Sequence, residues 1–410
     1  MIGRGIALGA RGGLIEARVP GVRLGDGVTI ATTPHKTGGH VCALGVDGVL
    51  IAAHGALGGV ARGMAVWVDP FAQSPPLGAC ALGRAIDARG RPLDGGPLLR
   101  GRRVAIARAL PEPAERAPVC VPFWTGVRVI DGLLTVGRGA RIGIFGAPGT
   151  GKSTLIEAIA AGCRAEAIVI ALIGERGREA QRWIDRCTRY ATVVCATSDR
   201  APAERVRAAQ VAVAHAGALR ERGLEVLLVL DSLARVAGAL RELAIGAGEP
   251  VGRGGYPPSV FAALARLAEA SGPVGSGSIT LVASVLDDGD DRDPVSDAAR
   301  SLLDGHVVLN GRLAAAGRFP AVDVLSSASR TMASVASPEH VEAAARVRTG
   351  IALLERIDDA RRVGIAPAGP DAARAIAAED GLEVFLRQLE YPASPVDTLA
   401  AVRELADRFA

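Results

Sequence analysis

The chain has 410 residues, of which 49% are hydrophobic and only 3% aromatic, and a formal net charge of +4 spread over both signs. That length carries two or three domains and a large core, which excludes a small module stapled by disulfides or metal. No apolar run approaches the roughly 20 residues a membrane-spanning helix needs, the N-terminus lacks a signal-peptide pattern, and weak charge with few aromatics argues against nucleic acid, so a cytoplasmic protein is expected.

From Met1 to about Asp69, short β-type runs recur between glycines: Gly13–Val19, Gly27–Thr32, Val41–Gly45, Val49–His54 and Ala65–Val68. Strands this short at nearly even spacing predict a small antiparallel barrel over residues 1–72. A proline-rich link from Pro70 to Pro76 follows, then a turn-rich hairpin at Ile86–Gly96 and an extended, proline-punctuated stretch at Ala107–Pro122.

The stretch Arg141–Thr154, RIGIFGAPGTGKST, reads as an apolar strand, a glycine-rich loop and a helix running to about Cys163. Gly146-Ala147-Pro148-Gly149-Thr150-Gly151-Lys152-Ser153 satisfies the phosphate-loop pattern in the strand-to-helix context that pattern requires, with Thr154 next in the helix. Glycines admit positive φ and bring N–H groups close to phosphate, while the helix presents its positive end. Lys152 is expected to meet the β- and γ-phosphates of ATP and the Ser153 hydroxyl to ligate Mg²⁺.

Beyond the loop, apolar runs at Ala167–Ile173, Thr192–Ala196, Val226–Leu230, Ile279–Val285 and His306–Leu309 alternate with helical stretches such as Glu179–Tyr190, Ala203–Arg222 and Pro258–Glu269. This predicts a parallel sheet covered on both faces over 73–337, with ligands at the carboxyl ends of the strands. From Pro338, alanine-rich runs at Glu339–Ile357, Asp371–Ala377, Leu382–Glu390 and Val396–Phe409 predict a helical domain to residue 410. The six cysteines, Cys42, Cys80, Cys120, Cys163, Cys187 and Cys195, lack CxxC spacing and read as buried, reduced thiols.

Two acids fall where strands end. Asp231 closes the run LEVLLVLD and reads either as a second Mg²⁺ ligand or as a helix cap. Glu175, in GERGRE after Ile173, is suited to orient an attacking water, with Arg176 or Arg178 on the γ-phosphate; read alone, the same charges make a solvated turn. By local sequence Arg330 is a surface arginine and Phe319 a core aromatic.

These motifs belong to a dense series: RPLDG at 91–95, TGVRVIDGLLTVGRG at 125–139, the phosphate loop, IGERGRE at 173–179, LVLDS at 228–232, AGEP at 247–250, GYPPSVFA at 255–262, GSIT at 277–280, Gly289-Asp290-Asp291, DAARSLLDGHVVL at 297–309 and FPAVDVLSSASR at 319–330. In this series the chain closely resembles the hexameric ATPases of type III protein secretion, the injectisome and flagellar export ATPases, relatives of the rotary synthase catalytic subunit. The resemblance implies an α/β fold with a RecA-like P-loop NTPase core, a small N-terminal β-barrel and a C-terminal helical domain, assembled as a homohexamer.

It further implies that Glu175 is the catalytic glutamate, Arg330 an arginine finger entering the adjacent subunit's site, Phe319 an adenine-stacking aromatic, and Gly246–Tyr256 a pore loop. Implied partners are central-stalk and stator proteins, chaperone–substrate complexes and an export gate at the inner membrane, where the protein would be peripheral. The chain begins within the barrel pattern, so the leading segment by which flagellar relatives oligomerise and meet membrane and stator is expected to be missing. Ala234 and Val236 stand where the family usually has a threonine and an aromatic, a departure that bears on ring coupling.

Two other readings stay open. One is the catalytic subunit of a rotary synthase, disfavoured by the wording of GYPPSVFA and FPAVDVLSSASR. The other is a hexameric RNA translocase, for which residues 1–70 supply one aromatic, Trp67.

Overall fold

A computed structural model describes residues 3–32, 36–287, 293–389 and 391–410. The N-terminal strands are β1 (Arg4–Arg11), β2 (Leu14–Arg18), β3 (Gly27–Ile30), β4 (Thr37–Leu44), β5 (Val49–His54) and β6 (Ala65–Val68). They close a barrel in the order β1-β2-β5-β4-β3-β6, with every pair antiparallel. Alternation along each strand turns Ile15, Ala17, Val28, Ile30, Val41, Ile51 and Val66 inward as the barrel core. The expected runs are all strands here, and β1 is an addition: it pairs with both β2 and β6 and so completes the closure.

The following elements, in chain order, are β7 (Arg84–Asp87), β8 (Pro122–Phe123), α1 (Arg128–Leu133), β9 (Val136–Gly137), β10 (Arg141–Gly146), α2 (Lys152–Gly162), β11 (Ala167–Ile173), α3 (Gly177–Asp185), β12 (Ala191–Ala196), α4 (Pro202–Arg220), β13 (Glu225–Asp231), α5 (Leu233–Gly246), α6 (Pro258–Glu269), β14 (Gly272–Val274), β15 (Gly277–Leu286), α7 (Pro294–Leu302), β16 (Gly305–Leu309), α8 (Gly311–Ala315), β17 (Val322–Ser329) and α9 (Met332–Val335). Three long helices end the chain: α10 (Pro338–Arg362), α11 (Pro370–Leu386) and α12 (Pro395–Arg408). Among the described residues no helix is long and apolar enough to cross a membrane.

The chain divides into two compact units. The first holds the barrel, the chain up to Arg116, and Glu166–Ile279. Its sheet runs β13-β11-β12-β7, every pair parallel, and β11 and β12 are buried along almost their whole length. The hairpin expected at Ile86–Gly96 is a turn after β7, with Asp87 N–H donating to Arg91 O at 2.8 Å, and its first arm is an edge strand of this sheet.

The second unit holds Ala117–Ala165, the strand from Thr280 and Ala299–Ala410. Here β10 lies between β15 and β16, both parallel to it, and β17 is antiparallel to β16, so the expected all-parallel sheet is mixed at this edge. Helices α10 to α12 pack with α1. Gly132 permits that approach, since an added Cβ would meet Val402 Cγ2 at 2.7 Å and Phe385 Cζ at 2.9 Å. His340 Nε2 is 2.7 Å from the Gly132 carbonyl, tying α10 to the same turn. The six thiols are free as expected, but of the six only Cys195 is buried; Cys42, Cys80, Cys163 and Cys187 are half-buried and Cys120 is exposed.

Candidate active site

In the second unit, β10 is buried from Ile142 to Gly146 and delivers the chain into the glycine loop. Gly149 has φ 82° and Gly151 φ 96°, and nothing lies within 4 Å of a Cβ built at either, so these positions need glycine for backbone shape rather than for space. Gly146 is the opposite case: an added Cβ would sit 2.7 Å from Thr150 Oγ1. Thr150 Oγ1 donates to the Ala147 carbonyl at 2.9 Å and fixes the curl of the loop.

Helix α2 starts at Lys152 with Gly151 as a cap that offers no side-chain acceptor. Its first-turn N–H groups are therefore left for an anion, favoured further by the helix dipole. Lys152 Nζ donates to the carbonyls of Gly146 at 2.5 Å and Ala147 at 2.8 Å, folding its ammonium over the loop. Pro148, Gly149, Ser153 and Thr154 are exposed.

In the first unit, the carboxyl ends of β11 and β13 bring acids together. Leu172 is in register with Asp231 on β13, and Glu175 follows two residues after β11 ends. Both carboxylates are 8% exposed, which rules out the solvated turn for Glu175. The helix cap for α5 is Ser232, whose side chain accepts from the Arg235 N–H, so Asp231 is not spent as a cap.

Burial holds the Glu175 carboxyl well above the usual carboxylate range, helped by a hydrogen bond with Glu179 and by the charge of Asp231. Arg235 pulls the other way. Its Nε lies 3.1 Å from Glu175 Oε1, and its Nη1 donates to the Gly174 carbonyl. Sequence reasoning gave Arg235 no role, although its place four residues after Asp231 puts it in the first turn of α5.

Arg176 caps α3, and it and Arg178 are exposed. Arg330 follows β17, with its N–H donating to Asp304 O at 2.9 Å; its side chain is exposed and, among the described residues, has no hydrogen-bond or ion-pair partner. Phe319 is 43% exposed, which excludes the core-packing alternative, and its carbonyl accepts from the Gln388 N–H at 2.8 Å. The Gly289-Asp290-Asp291 motif lies outside the described residues.

A buried parallel strand, a left-handed glycine loop and a helix opening with lysine and serine define a P-loop nucleotide-binding ATPase. Residues 126–329 match the ATP synthase alpha/beta family, nucleotide-binding domain. A type 3 secretion system ATPase of Sinorhizobium fredii is 43% identical over 94% of this chain and 88% of its own length. The flagellum-specific ATP synthase of Treponema pallidum is 41% identical over 92% of this chain and 87% of its own. Among solved structures, the assembled ATPase EscN of the enteropathogenic E. coli type III secretion system matches with a TM-score of 0.91 and 37% identity, covering 98% of this chain and 100% of that one. EscN in complex with its central stalk EscO matches with a TM-score of 0.88.

The chain belongs to the type III secretion ATPases, the injectisome and flagellar export branch of that wider family. It is an ATP-hydrolysing enzyme of protein export rather than a synthase subunit, with the barrel, RecA-like core and C-terminal helices expected of the family.

Proposed function

We propose that the chain hydrolyses ATP to release chaperones from secretion substrates and unfold those substrates for export, at sites completed by neighbouring copies in a homohexamer. In this reading the backbone N–H groups of residues 149–154 cradle the phosphates, and Lys152 leaves the Gly146 and Ala147 carbonyls for the β- and γ-phosphates. Ser153 and Asp231 would hold Mg²⁺: both offer oxygen, and a two-ligand protein share suits an ion that keeps phosphates and waters in its remaining positions. Bound there, the ion would neutralise charge on the phosphate oxygens.

Glu175 accepts a hydrogen bond from the attacking water. As the new P–O bond forms, the bond to the β-phosphate oxygen breaks, ADP leaves with that electron pair, and the water's proton passes to inorganic phosphate. Arg330 of a neighbouring copy and Arg176 steady the transferring group, and Phe319 stacks on adenine. The observation that carries the reading is Glu175: a carboxylate 8% exposed and aimed by an arginine beyond a strand's carboxyl end.

The domain division proposed is 1–72, 73–337 and 338–410, supported by the end of β6 at Val68 and the start of α10 at Pro338. By likeness to EscN with EscO, a central-stalk protein is the first partner to seek, then a stator, chaperone–substrate complexes and the export gate, at which the chain would sit peripherally on the membrane. Lys152→Ala is expected to weaken nucleotide binding, and Glu175→Gln to keep binding while losing about 100-fold or more in kcat. Wild-type turnover in either variant overturns the assignment.

A further inference from the structure

We propose that Arg300 is a positioning residue for the phosphate loop: it lies on the Phe145 ring, one residue before the loop, and binds Asp287, whose own N–H holds the loop's first carbonyl. The inference rests on the reading of the glycine loop as the phosphate cradle. Phe145, Gly146, Asp287 and Arg300 all belong to the second unit. Phe145 is fully buried near the end of β10, and its ring folds back over Gly143, where an added Cβ would stand 2.3 Å from Phe145 Cε2. His306 meets the ring edge-on, with centroids 6.1 Å apart and planes at 82°. Arg300, in the last turn of α7, covers a face of the same ring, its Cζ 4.5 Å from the centroid.

The same guanidinium donates from Nη2 to Asp287 Oδ2 at 2.6 Å. Asp287 follows β15 directly, and its N–H donates to the Gly146 carbonyl at 3.2 Å, one step beyond the last paired residues of the two strands, Gly146 and Leu286. That carbonyl is shared, because Lys152 Nζ reaches it at 2.5 Å. Once Lys152 moves to phosphate, the Asp287 N–H is the one of these two partners that stays, and the loop's first turn is then held through Asp287 and Arg300. A flat guanidinium can stack on a ring and bind a carboxylate at once, which an ammonium does less well. The alternative for a cation so near the loop is direct contact with phosphate. A phosphate ligand acts whether or not Asp287 is there; a positioning residue acts through Asp287 and Phe145.

The test is titration with fluorescent ADP, and its displacement by pyrophosphate, in Arg300→Ala, Arg300→Lys, Asp287→Ala, the Arg300→Ala/Asp287→Ala double variant and Lys152→Ala, beside the thermal midpoint of each protein without nucleotide. Arg300→Ala is expected to weaken ADP and pyrophosphate alike by about tenfold, what one misaligned hydrogen bond to a charged group costs. Arg300→Lys should recover part of the loss, and the double variant should stay within about twofold of Arg300→Ala. Should the alanine variant not fold, Arg300→Lys and Asp287→Asn, singly and together, carry the same comparison. A lowered midpoint with both affinities within about twofold of wild type would make the clasp merely structural and overturn the role of Arg300, as would losses that multiply in the double variant. Undiminished pyrophosphate binding in Lys152→Ala would instead overturn the reading of the loop beneath it.

Discussion

His215 is held neutral by its bonds. Gly78 N–H donates to its Nδ1 at 3.1 Å, so Nε2 carries the proton and gives it to Thr192 Oγ1 at 2.9 Å; Thr192 in turn donates to the Ala81 carbonyl at 2.6 Å. A second proton would meet the Gly78 N–H, and full burial with no acid partner pushes its pKa down to about 3. The folded value lies below the unfolded one of about 6.5, so unfolding takes up a proton below that pH. Its contribution is therefore intact above about pH 6.5 and is lost as pH falls toward 3, by about 1.4 kcal/mol per pH unit. His40, lowered to about 4 by burial and by Arg207, has the same sign. Urea midpoints between pH 7.5 and 5.5 should fall more steeply for wild type than for His215→Phe, which starts less stable. Equal slopes would refute the relay. Nothing in the sequence announced this histidine, because its partners, Gly78 and Thr192, come from stretches 137 and 23 residues earlier in the chain. Lys152 and Asp231 were legible because motif and strand lie in one short stretch. Arg235 was not, since its meaning depends on which acid the turn after β11 presents to it.

At the scale of elements, two glycines with opposite demands give a paired prediction. Gly151 holds φ 96° at the start of α2, whereas Gly238 lies inside α5 with no positive φ and nothing within 4 Å of an added Cβ. Gly238→Ala should stabilise by about 0.5–1 kcal/mol, because alanine loses less backbone entropy in a helix. Gly151→Ala forces a left-handed alanine at about 1–2 kcal/mol and should weaken ADP binding about tenfold. Thermal midpoints with fluorescent ADP titration check both, and a destabilised Gly238→Ala or an unchanged Gly151→Ala would count against the backbone argument. The same residue type explains what the sequence obscured. Strand β1, RGIALGAR, is broken by Gly5 and Gly9, and α5, LARVAGALRELAIG, by Gly238, so neither pattern reached the strength of its neighbours. Gly381 split the expectation for α11 into two helices, where the structure has one that runs through the glycine from Pro370 to Leu386. The expected helix at Glu179–Tyr190 ends instead at Asp185, after which the chain must turn into β12. Strands buried on both faces, such as β11 and β13, were read with nearly correct bounds because their apolar runs are uninterrupted.

At the scale of the whole molecule, the decisive question is whether one copy can hydrolyse ATP. Arg330 is exposed at the end of β17 and among the described residues has no side-chain ion pair or hydrogen bond, as an arginine used by another copy would be. If it completes a neighbour's site, Arg330→Ala should bind ATP normally yet lose about 10³-fold in kcat, and wild-type specific activity should climb with protein concentration as rings form. Mixing two dead variants makes the claim sharper. Lys152→Ala lacks the phosphate lysine but offers a sound Arg330, and Arg330→Ala offers the reverse. In a head-to-tail ring each interface takes its loop from one copy and its finger from the next, so random mixing rebuilds about a quarter of the interfaces with both groups intact. Equimolar mixtures should therefore regain activity that neither variant has alone, while Lys152→Ala mixed with Glu175→Gln, whose defects fall on the same side of the interface, should regain none. Recovery in neither mixture, with rings confirmed by light scattering, would mean that each copy keeps its own arginine or needs none.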